Sequence, residues 1–279
     1  MLRWPRLLPR LLRHIGSDSI LHLLEATCVG DHPADEYDGS PFAPAAASVA
    51  AWLPLDHLVP ALMDNLSAAD EEVAVNSAEL LANIIQSAPE LPACLSGKQS
   101  AVVCGSLVAR VLGGEGAVVQ PVDMGALNVL LKLLSRCRTR ALAEGSSPGR
   151  GGEFPKDEAV SALADTLYES IENLFVALAA PPAHPARISR FLPGGGAEFP
   201  PSSARPRCAL LALIEEALRM MHRGMAVALI DLGLFSLLLD MLLLPHSCNV
   251  LHMRVVSIID FALTTSCDHG PELRRALVS

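Results

Sequence analysis

Apolar residues, most of them leucine, recur at helical spacing in three well-separated stretches of this 279-residue chain. Leu55, Leu58, Val59, Leu62, Met63 and Leu66 follow the i, i+3, i+4, i+7 rule that lays one apolar stripe along an α-helix. Leu127, Leu130, Leu131 and Leu134 repeat the pattern, and so do Leu234, Leu237, Leu238, Met241 and Leu242. Their first leucines lie 72 and 107 residues apart, near two and three periods of about 36 residues.

Second helices follow in the expected places. Ser67-Ala68-Ala69-Asp70 supplies turn and cap residues, and Glu71 and Glu72 then occupy a helix start, where the helix dipole favours acids. Val73, Ala78, Leu81, Ala82 and Ile85 form the expected buried face of that helix. Pro245 ends one helix of the final pair and Val250 to Leu263 forms the next. No stretch alternates as a half-buried strand would, and aromatic residues make up only 4%. The expected fold is all-α, a HEAT/armadillo-like superhelical solenoid in which each helix pair buries its apolar faces against its neighbours.

Three segments interrupt the pattern and are expected to be long surface loops of one domain spanning residues 1–279. Residues 30–44 hold Asp31, Asp35, Glu36 and Asp38; residues 143–156 are rich in Gly, Ser and Pro; residues 181–206 contain seven prolines and three consecutive glycines. Excursions of this length cost little, because loop-closure entropy grows slowly with length.

Composition narrows the function classes. With 51% hydrophobic residues the chain has the material for a core. Its formal charge of −9 argues against a uniformly basic nucleic-acid surface. The seven cysteines (28, 94, 104, 137, 208, 248, 267) include no CxxC pair, which removes zinc ribbons and thioredoxin-type sites and fits reduced thiols. The longest uncharged run, Gly39 to Leu55, carries Pro41, Pro44 and Pro54, so no membrane-spanning helix is expected.

Signatures of catalysis are missing from the sequence: it has no GxSxG, no GxxxxGK[ST] and no HExxH. Gly113-Gly114-Glu115-Gly116 and Gly194-Gly195-Gly196 lack the strand–helix context of a dinucleotide loop. His246, Cys248 and His252 form the tightest group of metal-ligand residue types, without an evident fourth ligand. The competing reading makes Ser247 or Asn249 a helix cap and His252 a partly buried hydrogen-bonding residue. Asp231 and Asp240, taken on one helix, would face nearly opposite sides and so could not share acid–base work. Arg136, Arg138 and Arg140 cluster at a helix end and could receive an anion or an acidic partner. Glu215, Glu216, Arg219 and Arg223 have the spacing of a charge-paired helix face, which is usually solvated but in a solenoid could also lie on the concave binding surface.

Several strings resemble one family. Leu11-Leu12-Arg13-His14-Ile15-Gly16-Ser17-Asp18-Ser19-Ile20 opens the likeness, followed by Leu21-His22-Leu23-Leu24 and Thr27-Cys28-Val29. Trp52-Leu53, Leu58-Val59, Asn76-Ser77-Ala78 and Ile84-Ile85 continue it. Leu237-Leu238-Leu239-Asp240 and Cys248-Asn249-Val250-Leu251-His252-Met253-Arg254-Val255 close it. In order and spacing these strings are similar to the SAPS-domain family, the regulatory subunits of protein phosphatase 6-type enzymes, over roughly residues 7–265. The middle third matches weakly, and a single Asn249 stands where the family has two asparagines. The chain also lacks the family's helices before His14-Ile15-Gly16 and its acidic tail, as a fragment or divergent member would.

The resemblance implies a non-catalytic subunit with no cofactor. It would hold the catalytic subunit of a phosphatase 6-type Ser/Thr phosphatase, and in some members recruit ankyrin-repeat proteins, in the cytoplasm or nucleus. Asn249, His252 and Arg254 are the implied partner contacts. The resemblance also makes the start of the chain, with Arg3, Arg6, Arg10 and Arg13 and the apolar face Leu7, Leu8, Leu11, Leu12 and Ile15, a helix of the domain instead of a mitochondrial leader. Two other classes stay open at this point: a generic armadillo-like adaptor for trafficking or transport, and a helical metalloenzyme built on His246, Cys248 and His252.

Overall fold

The computed structural model describes residues 4–28, 55–88, 90–112, 123–143, 158–180, 201–220, 222–243, 249–267 and 269–278, and every regular element among them is helical. The helices are α1 (Trp4–Arg13), α2 (Asp18–Cys28), α3 (Leu55–Asn65), α4 (Glu71–Ser87), α5 (Gly97–Val111), α6 (Met124–Ala143) and α7 (Glu158–Glu169). They continue as α8 (Ile171–Ala179), α9 (Pro201–Arg219), α10 (Arg223–Asp231), α11 (Leu234–Leu243), α12 (Asn249–Thr264) and α13 (Gly270–Val278). A short 3-10 turn, Ala93–Leu95, lies between α4 and α5. The three leucine stretches fall in α3, α6 and α11.

Local chemistry starts these helices where the sequence suggests. The Asp70 carboxylate accepts the backbone N–H groups of Glu72 (3.0 Å) and Val73 (3.4 Å), which satisfies two orphan donors at the start of α4. Asp123 does the same for α6, accepting from Ala126 N–H at 3.0 Å. Pro9, Pro60 and Pro206 lie inside α1, α3 and α9, each as the sixth residue. A proline there removes one i→i−4 bond close to the helix start, leaving the rest of the ladder whole.

Pro206 belongs to a correction. Residues 181–206 were expected to form a loop throughout, but residues 201–206 are the opening of α9. Pro201 stands at the first helical position, where no N–H is needed, so proline content alone was a poor guide to the boundary. Residues 181–200 and 30–44 lie outside the described residues, and so does 143–156 apart from Ala143 at the end of α6.

The helices pack in two rows. In one, α2 lies on α4, α4 on α6, α6 on α9 and α9 on α12. In the other, α3 lies on the 3-10 turn, that turn on α5, α5 on α7, α7 and α8 on α10, and α10 on α11 and α13. Cross-contacts such as α3 with α4, α5 with α6 and α11 with α12 join the rows, and the buried apolar residues form one cluster from Leu12 to Leu273. Helices inside a row are covered on both sides. On α4, Ala78, Leu81, Ala82 and Ile85 are buried as expected and Val73 half-buried, but Ser77, Leu80 and Ile84 are buried as well.

Two glycines set local geometry. A Cβ added at Gly125, in the first turn of α6, would stand 3.0 Å from the Ala78 Cβ of α4, so glycine allows the close approach of this pair. Gly233 has φ +80°, a left-handed conformation that L side chains avoid, and it separates α10 from α11 with a bend of 59°. Asp231 and Asp240 therefore sit on different helices, which replaces the single helix on which they were first compared. Among the described residues no single helix is long and apolar enough to cross a membrane. At the start of the chain, Leu12 and Ile15 are buried and Leu8 and Leu11 pack against the core, which makes α1 a working part of this helical assembly.

Candidate partner-binding face

Alanine and leucine surround the charged pair of α9, in the run Ala209-Leu210-Leu211-Ala212-Leu213-Ile214-Glu215-Glu216-Ala217-Leu218. This helix touches α6, α8, α10 and α12, and within its residues 205–219 every position but Arg205 is at least half-buried. Glu215 is consequently buried, its side chain only 5% exposed. A buried carboxylate is tolerable only when charge and hydrogen bonds compensate the loss of water. Three donors do so here. Arg219 Nη2 lies 2.6 Å away on the same helix, and Arg254 Nη1 (3.1 Å) and Ser257 Oγ (2.6 Å) reach across from α12. Next to it Glu216 takes the Arg138 fork from α6, with Nε at 2.8 Å and Nη2 at 3.4 Å.

Of the placements left open for Glu215, Glu216, Arg219 and Arg223, a solvated face holds for Arg223 but not for Glu215 and Glu216. Only the Arg219–Glu215 pair is made within the helix; the others tie α9 to its two neighbours, because the helix lies inside a row instead of on its surface. Arg223 starts α10 and pairs with Glu272 of α13 at 3.1 Å. The arginines of α6 likewise do not converge on one anion site. Arg138 points to α9, while Arg136 donates to the Ala88 carbonyl at the end of α4 (2.6 Å), beside Lys132 and Gln86 (2.6 Å).

The joints of α4 with α2 and with the turn before it use neutral donors. Asn76 Nδ2 of α4 donates to the Ile15 carbonyl in the turn before α2 (2.9 Å), and Asn83 Nδ2 donates to Glu25 of α2 (2.9 Å). A Cβ at Gly16 would meet Val73 Cγ2 at 3.3 Å. Two of the strings that carry the family resemblance, around Ile15-Gly16 and Asn76-Ser77-Ala78, therefore pack directly on one another. Arg110, at the end of α5, bridges the Asp123 cap (3.1 Å), Ser67 Oγ and the Leu66 carbonyl.

The expected contact residues all fall on α12. Asn249 is its first residue and is exposed, His252 is half-buried, and Arg254 is exposed while holding Glu215. Residues two apart are about 200° round a helix, so His252 and Arg254 flank opposite sides and do not form one cluster. Between them lies an exposed face on which Val250, Met253, Val256 and Leu263 are interspersed with Asn249 and Asp260. Met253 at its centre is 70% exposed. Leu239 and Leu243 on the adjoining α11 are exposed too. The sequence carried a signal for this second face, since α12 has more apolar residues (250, 251, 253, 255, 256, 258, 259, 261, 262, 263) than one buried stripe uses.

Among the described residues no group of three His, Cys, Asp or Glu could hold a metal; His246 and Cys248 of the H-x-C-x3-H string lie outside those residues. Burial pushes the Cys28 thiol up to about 11 and the Cys104 thiol up to about 12, away from the reactive thiolate. His222 stands 3.2 Å from Asp165, but its Nδ1 accepts the Met225 N–H and caps α10. Compared with known proteins, the chain matches no protein-family model, no curated protein and no solved structure.

Proposed function

We propose that this chain is a non-catalytic scaffold, a HEAT/armadillo-like superhelix that binds the catalytic subunit of a phosphatase 6-type Ser/Thr phosphatase and helps direct it to substrates. The observation that carries the scaffold reading is the pair of helix rows, in which each inner helix packs on the one before and the one after. Such stacking offers a long, semi-rigid surface to a globular partner. The choice of partner rests on the resemblance to the SAPS-domain family, whose strings in this chain fall on α1, α2, α3, α4, α11 and α12, with Val29, Trp52-Leu53 and Cys248 outside the described residues. The catalytic metals would belong to the phosphatase subunit, the working compartment would be the cytoplasm or nucleus, and ankyrin-repeat proteins would be further partners.

Affinity purification of the tagged full chain from its own cell extract tests this reading, with mass spectrometry and a phosphatase assay on the eluate. Recovery of a phosphatase 6-type catalytic subunit with activity is the expected result. Loss of that subunit on changing Asn249 and His252 to Ala, with the circular-dichroism melt unchanged, would place the contact at those residues. A folded chain that captures other proteins and no phosphatase would overturn the phosphatase assignment in favour of a general adaptor.

A further inference from the structure

We propose that Ser67, in the turn between α3 and α4, is a phosphorylation site for an acid-directed Ser/Thr protein kinase, and that the Arg110 guanidinium receives the phosphate. The site is independent of the partner proposed above. Ser67 is exposed and outside any helix, and Asp70, Glu71 and Glu72 after it are exposed as well. These acids stand three, four and five residues downstream, and no other serine or threonine of the chain has acids at all three positions. A kinase with a basic substrate groove selects a hydroxyl by such carboxylates, because each can pair with a cation of the groove. Serines buried within helices, such as Ser77 and Ser100, offer a kinase no access.

The receiving group is already in place. Arg110, at the end of α5, donates from Nη1 to the Ser67 hydroxyl and from Nη2 to the Leu66 carbonyl beside it. The same guanidinium holds the Asp123 carboxylate, with Nε and Nη2 each at 3.1 Å, and Asp123 caps α6. In the transfer, Ser67 Oγ–H gives its proton to the kinase's base and the Oγ–P bond forms. The bond from the γ-phosphorus of ATP to its bridging oxygen breaks, and ADP leaves. The phosphate then stands one bond beyond Oγ, against a planar fork that suits its oxygens. Around the turn the acids Asp64, Asp70, Glu71, Glu72 and Asp123 outnumber the cations Arg13 and Arg110, and among the described residues only Arg110 touches the hydroxyl. Arg110 therefore decides whether the added charge is held or repelled. Holding it draws Arg110 from Asp123 toward the turn, so that modification resets the joint of α3, α5 and α6.

Incubating the folded full chain with a purified acid-directed kinase and ATP, followed by mass spectrometry, tests the site. Phosphate on Ser67 is expected, absent from Ser67→Ala and slowed severalfold when Glu71→Gln and Glu72→Gln are combined. Asp70 stays unchanged in these variants because it caps α4. An unmodified Ser67, or a rate indifferent to the two glutamines, overturns the proposal. Phosphorus NMR of the phosphorylated chain tests the receiver. The second ionisation of the phosphate should fall at lower pH than in a free phosphopeptide of residues 64–73, which carries the same acids except Asp123. Arg110→Gln should abolish that difference, and phosphorylation should then lower the urea midpoint by more than it does in the parent chain. If Arg110→Gln melts early, the comparison of parent chain and peptide decides alone. Equal titration of the two would overturn Arg110 as the receiver.

Discussion

Where α4 meets α2 and the turn before it, the polar joints are asparagine amides, Asn76 on the Ile15 carbonyl and Asn83 on Glu25. Where α9 meets α6 and α12, the joints are ion pairs, Arg138 with Glu216 and Arg254 with a Glu215 already held by Arg219. Both regions belong to the same row of helices and both are backed by the same apolar cluster. The difference lies in what each joint loses when one partner is removed. An amide taken from a carbonyl leaves a neutral group short of one bond. A carboxylate taken from between two guanidiniums leaves like charges facing each other at the edge of the core.

Glu215→Ala should therefore be the most damaging single change at either set of joints. A loss of about 2–4 kcal/mol in urea unfolding is expected, less than for a fully buried pair because Arg219 and Arg254 can regain water. An unfolding midpoint equal to wild type would show that the network is merely tolerated. Between the two regions, Gly125→Val forces atoms into the Ala78 contact of α4 and α6 and should cost about 1–3 kcal/mol. Gly125→Val at wild-type stability would mean that these helices can move apart freely.

At the amino-terminal joint, Asn76→Ala should cost about 1–2 kcal/mol, because the Ile15 carbonyl loses its side-chain donor. Its neighbour provides a control. Ser77 Oγ is buried with no hydrogen-bond partner among the described residues, so Ser77→Ala should be neutral or stabilise by up to about 1 kcal/mol. A destabilising Ser77→Ala would reveal a partner for that hydroxyl.

Alkali tests α2 and α5 in turn. Cys28 and Cys104, in α2 and α5, have thiol pKa values raised by burial from 9.0 to about 11 and about 12. In the unfolded chain these thiols ionise first, so stability is unaffected below pH 9.0 and declines as pH climbs toward 11 and 12. Urea midpoints measured across that range should fall, and Cys104→Ala should flatten the fall. A midpoint constant through pH 11 would show that the thiols are reached by water in the folded state.

Much of this architecture is legible in the sequence because it is local. The leucine stripes of α3, α6 and α11, the Asp70 cap and the apolar underside of α1 each depend on residues within a few positions of one another. Even the likeness between Ile15-Gly16 and Asn76-Ser77-Ala78 and one family is written in short strings, although their contact is not. The boundary of α9 was missed because proline counts do not say which proline opens a helix. The placement of Glu215 and Glu216 stayed open in the sequence because charge spacing along one helix says nothing about what covers it.

For the candidate face the division is similar. Residue types and period were enough to make the chain all-helical and to mark α12 as a helix rich in apolar residues, since helix formation answers to spacing at three and four residues. Which side of α12 would be buried, that His252 and Arg254 would flank opposite edges of an exposed face, and that Arg254 would reach Glu215 depended on packing. Glu215 and Arg254 are 39 residues apart in the chain, and only the placement of α9 between α6 and α12 brings them within 3.1 Å. A charge buried in that way is stable only through partners supplied by other helices, and no local pattern contains them.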